Sequence, residues 1–363
     1  MRIAVLRESA PGESRVGLVP ENVVRLVKAG HEVAIEAGAG DAAGFSDSAY
    51  RSAGGEVSEA RSALDGAGVV VLVQHPSEEQ TALLPAGACL LALLAPQQNR
   101  PLLDRLAARQ VNALSLERVP RITRAQSMDA LSSQATLAGY KAVLLGAAAL
   151  PRILPMMTTA AGTLAPARAF IVGAGVAGLQ AIATARRLGA VVSAFDVRPV
   201  VKEQVQSLGA TFVEVPAVAA EGTGGYAREL AQDDQARVLA TLALHLREMD
   251  LVITTAAVPG RPAPRLITAE MVRSMRPGSV IVDLVAEAGG NCELTRAGES
   301  VREAGVTIVG AVNLPATLPF HASQMYGRNV LSILTALWKD GQLAAGDEIA
   351  RAMLVVHQGK VLL

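Results

Sequence analysis

Apolar residues fall in short runs along the chain, separated by stretches in which apolar positions recur every three or four residues. From Arg2 to about Leu114 the runs RIAVL, EVAIEAG, VVVLV, CLLALL and VNALSL alternate with the helical stretches PENVVRLVKAG and EARSALDGAG. Short apolar runs alternating with helical stretches read as strands of a parallel sheet joined by crossover helices. A second series begins at Ala169 with AFIVGAG and continues through VVSAF, TFVEV, DLVITTA, SVIVDLV and VTIVGAV. The pattern predicts an α/β protein with two doubly wound parallel-sheet domains, and a length of 363 residues suits two domains of ordinary size.

The polar stretch ERVPRITRAQSMDALSSQ separates the two series and runs into a long helical segment through Tyr140 toward Ala149, which places the hinge there. After Val309, NLPATLPFHASQMYGRN leads into NVLSILTALW, an amphipathic helix beyond the sixth strand of the second series. Strand counting suggests that this tail packs back on the first domain. The expected domains are therefore 1–128 with 319–363, and 129–318.

In the second series the strand AFIV runs into Gly173-Ala174-Gly175-Val176-Ala177-Gly178, and the helical LQAIATARRLGA follows. GxGxxG alone is a weak signal, and a ligand-free glycine-rich turn would satisfy it. Here it stands between a strand and a helix, where Gly173 makes the tight turn, Gly175 admits a pyrophosphate and Gly178 lets helix and strand approach. Phosphate charge would rest on the backbone amides near Val176 and Ala177. The next strand, VVSAF, ends at Asp196, close to the offset of about 20 residues at which a ribose-binding acid belongs. Both domains thus read as Rossmann-like, with the second carrying the dinucleotide site. Asp196, with Val197 and Arg198 behind it, favours NAD(H), because the 2′-phosphate of NADP(H) would meet a like charge. Arg198 is expected to pair with Asp196 or with a phosphate. Thr255, Ala256 and Ala257 follow the fourth strand at its carboxyl end, where ligands lie in open sheets, and are expected to line the nicotinamide side. The similar run from Gly38 to Gly44 has its third glycine one residue late and a poor helix after it, and reads as a turn.

Charge narrows the choice of partners. Lys plus Arg and Asp plus Glu number 33 each, so no net field draws nucleic acid or an anionic membrane. MRIAVLRESAPGESR passes from a short apolar run straight into charges, unlike a signal peptide, and no apolar run approaches the ~18 uninterrupted residues of a spanning helix. Cys89 and Cys292 lack metal-ligand spacing, which points to a reduced, metal-free, cytoplasmic protein.

Between Arg121 and Gln134 the chain concentrates Arg121, Arg124, Gln126, Ser127, Asp129, Ser132, Ser133 and Gln134. If a helix is under way by Gln126, then Gln126, Asp129 and Ser133 share one face, which suits the carboxamide and ribose of a nicotinamide nucleotide. The other reading is a capped helix start with a solvated face.

A resemblance bears on that choice. PRITRAQSMDALSSQATLAGYKAV and PMMTTAAGTLAPARAFIVGAGVAGLQAIATARRLGAVVSAFDVR resemble the NAD(H)-binding component, domain I, of proton-translocating NAD(P) transhydrogenase. The likeness continues through GGYAREL, ITTAAVPG, DLVAEAGGNCEL and NLPATLPFHASQMYGRN, and covers nearly the whole chain from the opening Arg7 to Glu21 onward. It implies that Arg121, Gln126 and Asp129 form a loop at the nicotinamide end, with Ser132 at a nearby hydroxyl position and Gln126 orienting the ring for the hydride step. It also implies that the long connection after TFVEV, with Gly225 and Tyr226, is a mobile loop whose tyrosine closes over NAD(H). The partners implied are an NADP(H)-binding β-subunit domain and separate membrane subunits, holding a homodimer of this chain at the inner face of the membrane.

Two other functions compete. A soluble amino-acid dehydrogenase of the alanine dehydrogenase type shares this architecture, but in such enzymes an arginine, a lysine and a histidine of the first domain serve the substrate. Arg15 is present here, whereas Lys28 is the only lysine before Arg121, and although His75 follows the strand VVVLV, the stretch LLALLAPQQN has no histidine where that family places its own. A non-catalytic NAD(H)-sensing module is the third reading, since one nucleotide site is only half of a hydride-transfer centre.

Overall fold

In the computed structural model, which describes residues 1–215, 232–258 and 261–363, the chain opens with six parallel strands. These are β1 (Arg2–Val5), β2 (Glu32–Glu36), β3 (Glu56–Ser58), β4 (Val69–Val71), β5 (Cys89–Ala92) and β6 (Asn112–Ser115). Their apolar runs are continuous because both faces of the sheet are covered. Ile3, Val5, Val71 and Leu91 enter one core layer, while Ala4, Val70 and Leu90 enter the other. A fully buried Val, Leu or Ile contributes about 1.5–3 kcal/mol.

The long helix Ala130–Ala149 leads to a hairpin of β7 (Met157–Thr159) and β8 (Gly162–Leu164) and then to a second sheet. That sheet contains β9 (Arg168–Val172), β10 (Val191–Phe195), β11 (Thr211–Phe212), β12 (Leu251–Thr254), β13 (Val280–Asp283), β14 (Ser300–Glu303) and β15 (Val306–Gly310). Its strand order is β11-β10-β9-β12-β13-β15-β14, parallel except for β14. Leu251 and Ile253 face one core layer and Val252 the other.

The tail begins a helix at Pro319–Leu337, well before the apolar NVLSILTALW, because proline at the first helical position presets the backbone. It continues through β16 (Trp338–Lys339), β17 (Gln342–Leu343), β18 (Leu354–His357) and β19 (Lys360–Val361). β18 pairs antiparallel with β6, so the first sheet runs β19-β18-β6-β5-β4-β1-β2-β3. Each sheet is thus parallel with an antiparallel edge.

The chain divides into two compact units, Met1–Gln134 with Pro315–Leu363, and Ala135–Leu314. The sequence pattern alone puts the cuts at 128/129 and 318/319. The first turn of helix Ala130–Ala149 belongs with the tail because Ser133 Oγ donates to Asn329 Oδ1 (2.7 Å) and Gln134 Nε2 donates to the Ala322 carbonyl (3.1 Å). FSDSAYRSAGG, a poor helix by its sequence, forms the short helix Asp47–Ser52, capped by Ser46 and held by the buried Tyr50. Among the described residues, no helix is long and apolar enough to cross a membrane.

Candidate functional site

In the second unit the strand order reverses at β9, which has β10 on one side and β12 on the other. The carboxyl ends of these strands open the crevice in which doubly wound sheets hold ligands. Gly173 follows β9 with φ +95, and a Cβ there would stand 2.6 Å from Thr255 Oγ1. Gly178 lies in the first turn of helix Val176–Arg187, where a Cβ would meet the Gly173 carbonyl oxygen at 1.9 Å. Gly175, the N-cap, is different: a Cβ would find nothing within 4 Å. Its glycine leaves space on the outside of the turn, over first-turn amides that no helical carbonyl can reach. An open approach to unpaired N–H groups at a helix N-terminus fits a pyrophosphate.

Asp196, directly after β10, accepts from Ala174 N (2.8 Å) through Oδ2, which ties the strand end to the glycine turn. Its carboxylate is 6% exposed, and Arg198 pairs with it through Nε on Oδ1 (2.9 Å) and Nη2 on Oδ2 (2.7 Å). The Arg198 backbone N–H also donates to Oδ1 (2.9 Å). The pairing expected of these two residues is present. Val197 packs on the core beneath.

Thr255 serves the turn. Its hydroxyl donates to the Gly173 carbonyl at 2.9 Å, so it braces the glycine loop. Ala256 is half-buried and Ala257 exposed. Asn291, fully buried, exchanges two hydrogen bonds with the Ala256 backbone and donates a third to the Pro264 carbonyl. No local pattern points to Asn291, because its partners lie 35 and 27 residues away. Among the described residues, the buried Thr254 hydroxyl at the end of β12 has no hydrogen-bond partner. Gly225 and Tyr226 lie outside the described residues.

In the first unit, Thr123–Met128 forms a 3-10 turn and the α-helix starts only at Ala130, so Gln126, Asp129 and Ser133 do not share a helical face. Asp129 caps the helix, accepting Ser132 N (2.9 Å) and Ser132 Oγ (2.6 Å). Ser133 is turned to Asn329. Arg121 is exposed, and Gln126 is exposed with its amide bonded by no described residue. The structure therefore joins Asp129 to Ser132 and leaves the Gln126 amide open.

The first sheet has its own reversal at β1, between β2 and β4, and carboxylates fill it. Glu36 accepts Arg7 N (2.8 Å), and Glu8 accepts the amides of Val73 (2.6 Å) and Gln74 (3.0 Å). Burial pushes the Glu8 carboxyl up to about 8, against the pull of those two amides. Beside it the buried Arg15 donates to both oxygens of Glu13 (2.8 and 2.6 Å) and to Gln134 Oε1 (2.8 Å). His75 is exposed. Among the described residues, no three His, Cys, Asp or Glu are grouped to hold a metal ion.

Comparison with known proteins accords with this geometry. The alanine dehydrogenase/PNT N-terminal domain family matches residues 4–138, and the alanine dehydrogenase/PNT C-terminal domain family matches residues 142–363. An NAD(P) transhydrogenase subunit alpha chain of Rhodospirillum rubrum is 50% identical over 92% of this chain and 90% of its own length. A solved structure, the transhydrogenase from Sinorhizobium meliloti, matches with TM-score 0.88 and 43% identity over 99% of this chain and 98% of that one. An L-alanine dehydrogenase matches with TM-score 0.83 and 28% identity over 100% and 97%.

Proposed function

The chain belongs to the alanine dehydrogenase/PNT family and sides with its transhydrogenase members, and from that premise we propose that it is the NAD(H)-binding component of a proton-translocating NAD(P) transhydrogenase. The observation that carries the proposal is the turn at Gly175, open on its outer side and flanked by the strand-end carboxylate of Asp196. NAD(H), when bound, supplies or accepts the hydride. The first-turn amides would hold its pyrophosphate, the Asp196 carboxylate with its Arg198 partner would stand at the adenosine ribose and oppose a 2′-phosphate, and the loop braced by Thr255 and Asn291 would shape the nicotinamide side. Gln126 orients the ring, a role supported by its open amide, and no acid or base is required at the reacting carbons. Asp129 and Ser132 hold the loop in shape, and Arg121 offers it a cation.

The second nicotinamide belongs on an NADP(H)-binding partner, with proton translocation in the membrane part of the transhydrogenase, which keeps this chain at the inner face of the membrane. A homodimer is supported by the hairpin β7–β8, where residues 156–165 are all exposed and Met156, Met157 and Leu164 present apolar side chains. The alanine dehydrogenase reading is weakened by the lysine inventory, since Lys28, the only lysine before Arg121, lies on the helix Pro20–Lys28. The test is hydride exchange from NADH to NADP by the isolated chain and by the chain with its NADP(H)-binding partner. Transfer only in the mixture is expected. Robust transfer by the isolated chain, or NADH oxidation driven by pyruvate and ammonium, would refute the proposal.

A further inference from the structure

We propose that Asn329, on the tail helix Pro319–Leu337, is a positioning residue for hydride transfer that fastens the loop of Gln126 and Asp129 from both sides; this rests on the function proposed above. Asn329 is 7% exposed, and a buried amide is costly unless its bonds are made. They are made to either flank of Asp129: Nδ2 donates to the Ser127 carbonyl (2.8 Å), and Oδ1 accepts from Ser133 Oγ (2.7 Å). A carbonyl only accepts, so the orientation of the amide is fixed by its partners.

The loop needs such a fastening. Thr123–Met128 is a 3-10 turn, whose internal hydrogen bonds are poorer than those of an α-helix, so external bonds set its shape. Arg124 also meets the tail, on Asp347 (2.9 and 3.0 Å) and Glu348 (3.2 Å), but these bonds are solvent-exposed and screened. Asn329 is thus the shielded clamp, while the Gln126 amide beside it stays open. NADH binding is assigned above to the glycine turn and Asp196, so a change at Asn329 should alter alignment more than affinity.

The experiment uses the complex with the NADP(H)-binding partner and compares wild type, Asn329→Leu and Ser133→Ala. Single-turnover hydride transfer from NADH to NADP gives the rate, and calorimetry gives the NADH Kd. Asn329→Leu should slow transfer by roughly 10- to 100-fold with Kd changed by less than about twofold. Ser133→Ala, which removes one of the two bonds, should slow it by a few-fold and decides the matter if Asn329→Leu loses its cooperative unfolding transition. Wild-type rates in a folded Asn329→Leu, or a rate loss matched by an equal loss of NADH affinity, overturn the proposal. A wild-type complex that transfers no hydride overturns the functional reading itself, and this proposal with it.

Discussion

Two glycines three residues apart should respond in opposite ways to the same added methyl group. Gly175 has φ −76 and ψ −167, extended backbone open to any residue, and its Cβ would touch nothing within 4 Å. Gly175→Ala should therefore leave the fold intact and stabilise it by about 0.4–1 kcal/mol through the unfolded chain. The methyl would stand where the pyrophosphate must approach the backbone, so NADH affinity should fall at least ~10-fold, about 1.4 kcal/mol. Gly178 gains about 1 kcal/mol of helix propensity from the same change. Against that, its Cβ would lie 1.9 Å from the Gly173 carbonyl oxygen. Even close carbon–oxygen contacts stay beyond about 3.3 Å, so the backbone must move by more than about 1 Å. Overpacking costs about 1–3 kcal/mol, and backbone on both sides puts this case at the upper end, for a net loss of about 2 kcal/mol. Urea unfolding followed by circular dichroism measures the stabilities, and calorimetric titration measures NADH binding. Wild-type NADH affinity in Gly175→Ala, or undiminished stability in Gly178→Ala, would refute the reasoning.

Asp196→Ala should narrow the preference for NADH over NADPH, because it removes the like charge and frees Arg198 for a 2′-phosphate; titration with both nucleotides checks this, and an unchanged ratio counts against the assignment. Gln126→Asn should bind NADH as wild type but slow hydride transfer by up to about 100-fold, the cost of ~1 Å of misplacement, and an unchanged single-turnover rate removes Gln126 from the mechanism. For Glu8 the folded carboxyl is raised from 4.5 to about 8, so between those values the folded state binds more protons than the unfolded one. Its contribution is complete below pH 4.5 and is lost as pH rises through 8, by about 5 kcal/mol at about 1.4 kcal/mol per unit. Glu8→Gln should flatten that decline, and unfolding curves at about pH 5 and pH 8.5 that shift equally in both proteins would exclude it.

Features written in consecutive residues are legible in the sequence. VVVLV and CLLALL announce strands because a sheet covered on both faces needs unbroken apolar runs, and GxGxxG with Asp196 announces its own turn, helix and acid. The start of the helix after Arg121 is not written so locally, since the polar residues from Gln126 to Ser133 suit a 3-10 turn, a cap or a helix equally well, and partners 196 to 223 residues away choose among them. The antiparallel strand β18 is hidden for a related reason. LVVH is too short an apolar run to announce a strand by itself, and its direction against β6 depends on a tail that returns after the whole second unit. Charge pairing is the least legible: Glu13 and Arg15 are two residues apart, yet their burial depends on Gln134, 119 residues on from Arg15.

The two sheets permit a last step. Both reverse strand order after a first parallel strand, and both place an acid at the end of the second: Glu36 closes β2, and Asp196 directly follows β10. Each acid accepts a backbone amide just beyond the first strand, Arg7 N in one case and Ala174 N in the other. Topology alone would predict two nucleotide sites. The chemistry that follows the first strand decides otherwise. After β9 the chain enters a helix within four residues and presents open amides around Gly175. After β1 it runs through residues 6–19 before the helix Pro20–Lys28, whose first residue has no N–H, and Glu8 takes the amides of Val73 and Gln74. A pyrophosphate there would find the amides of Val73 and Gln74 taken by Glu8 and that of Arg7 taken by Glu36, and the nearby cation Arg15 is bound to Glu13. Among the described residues, then, one of the two sheets offers a phosphate cradle, and the proposed hydride exchange between two nicotinamides needs a second cradle that they do not supply.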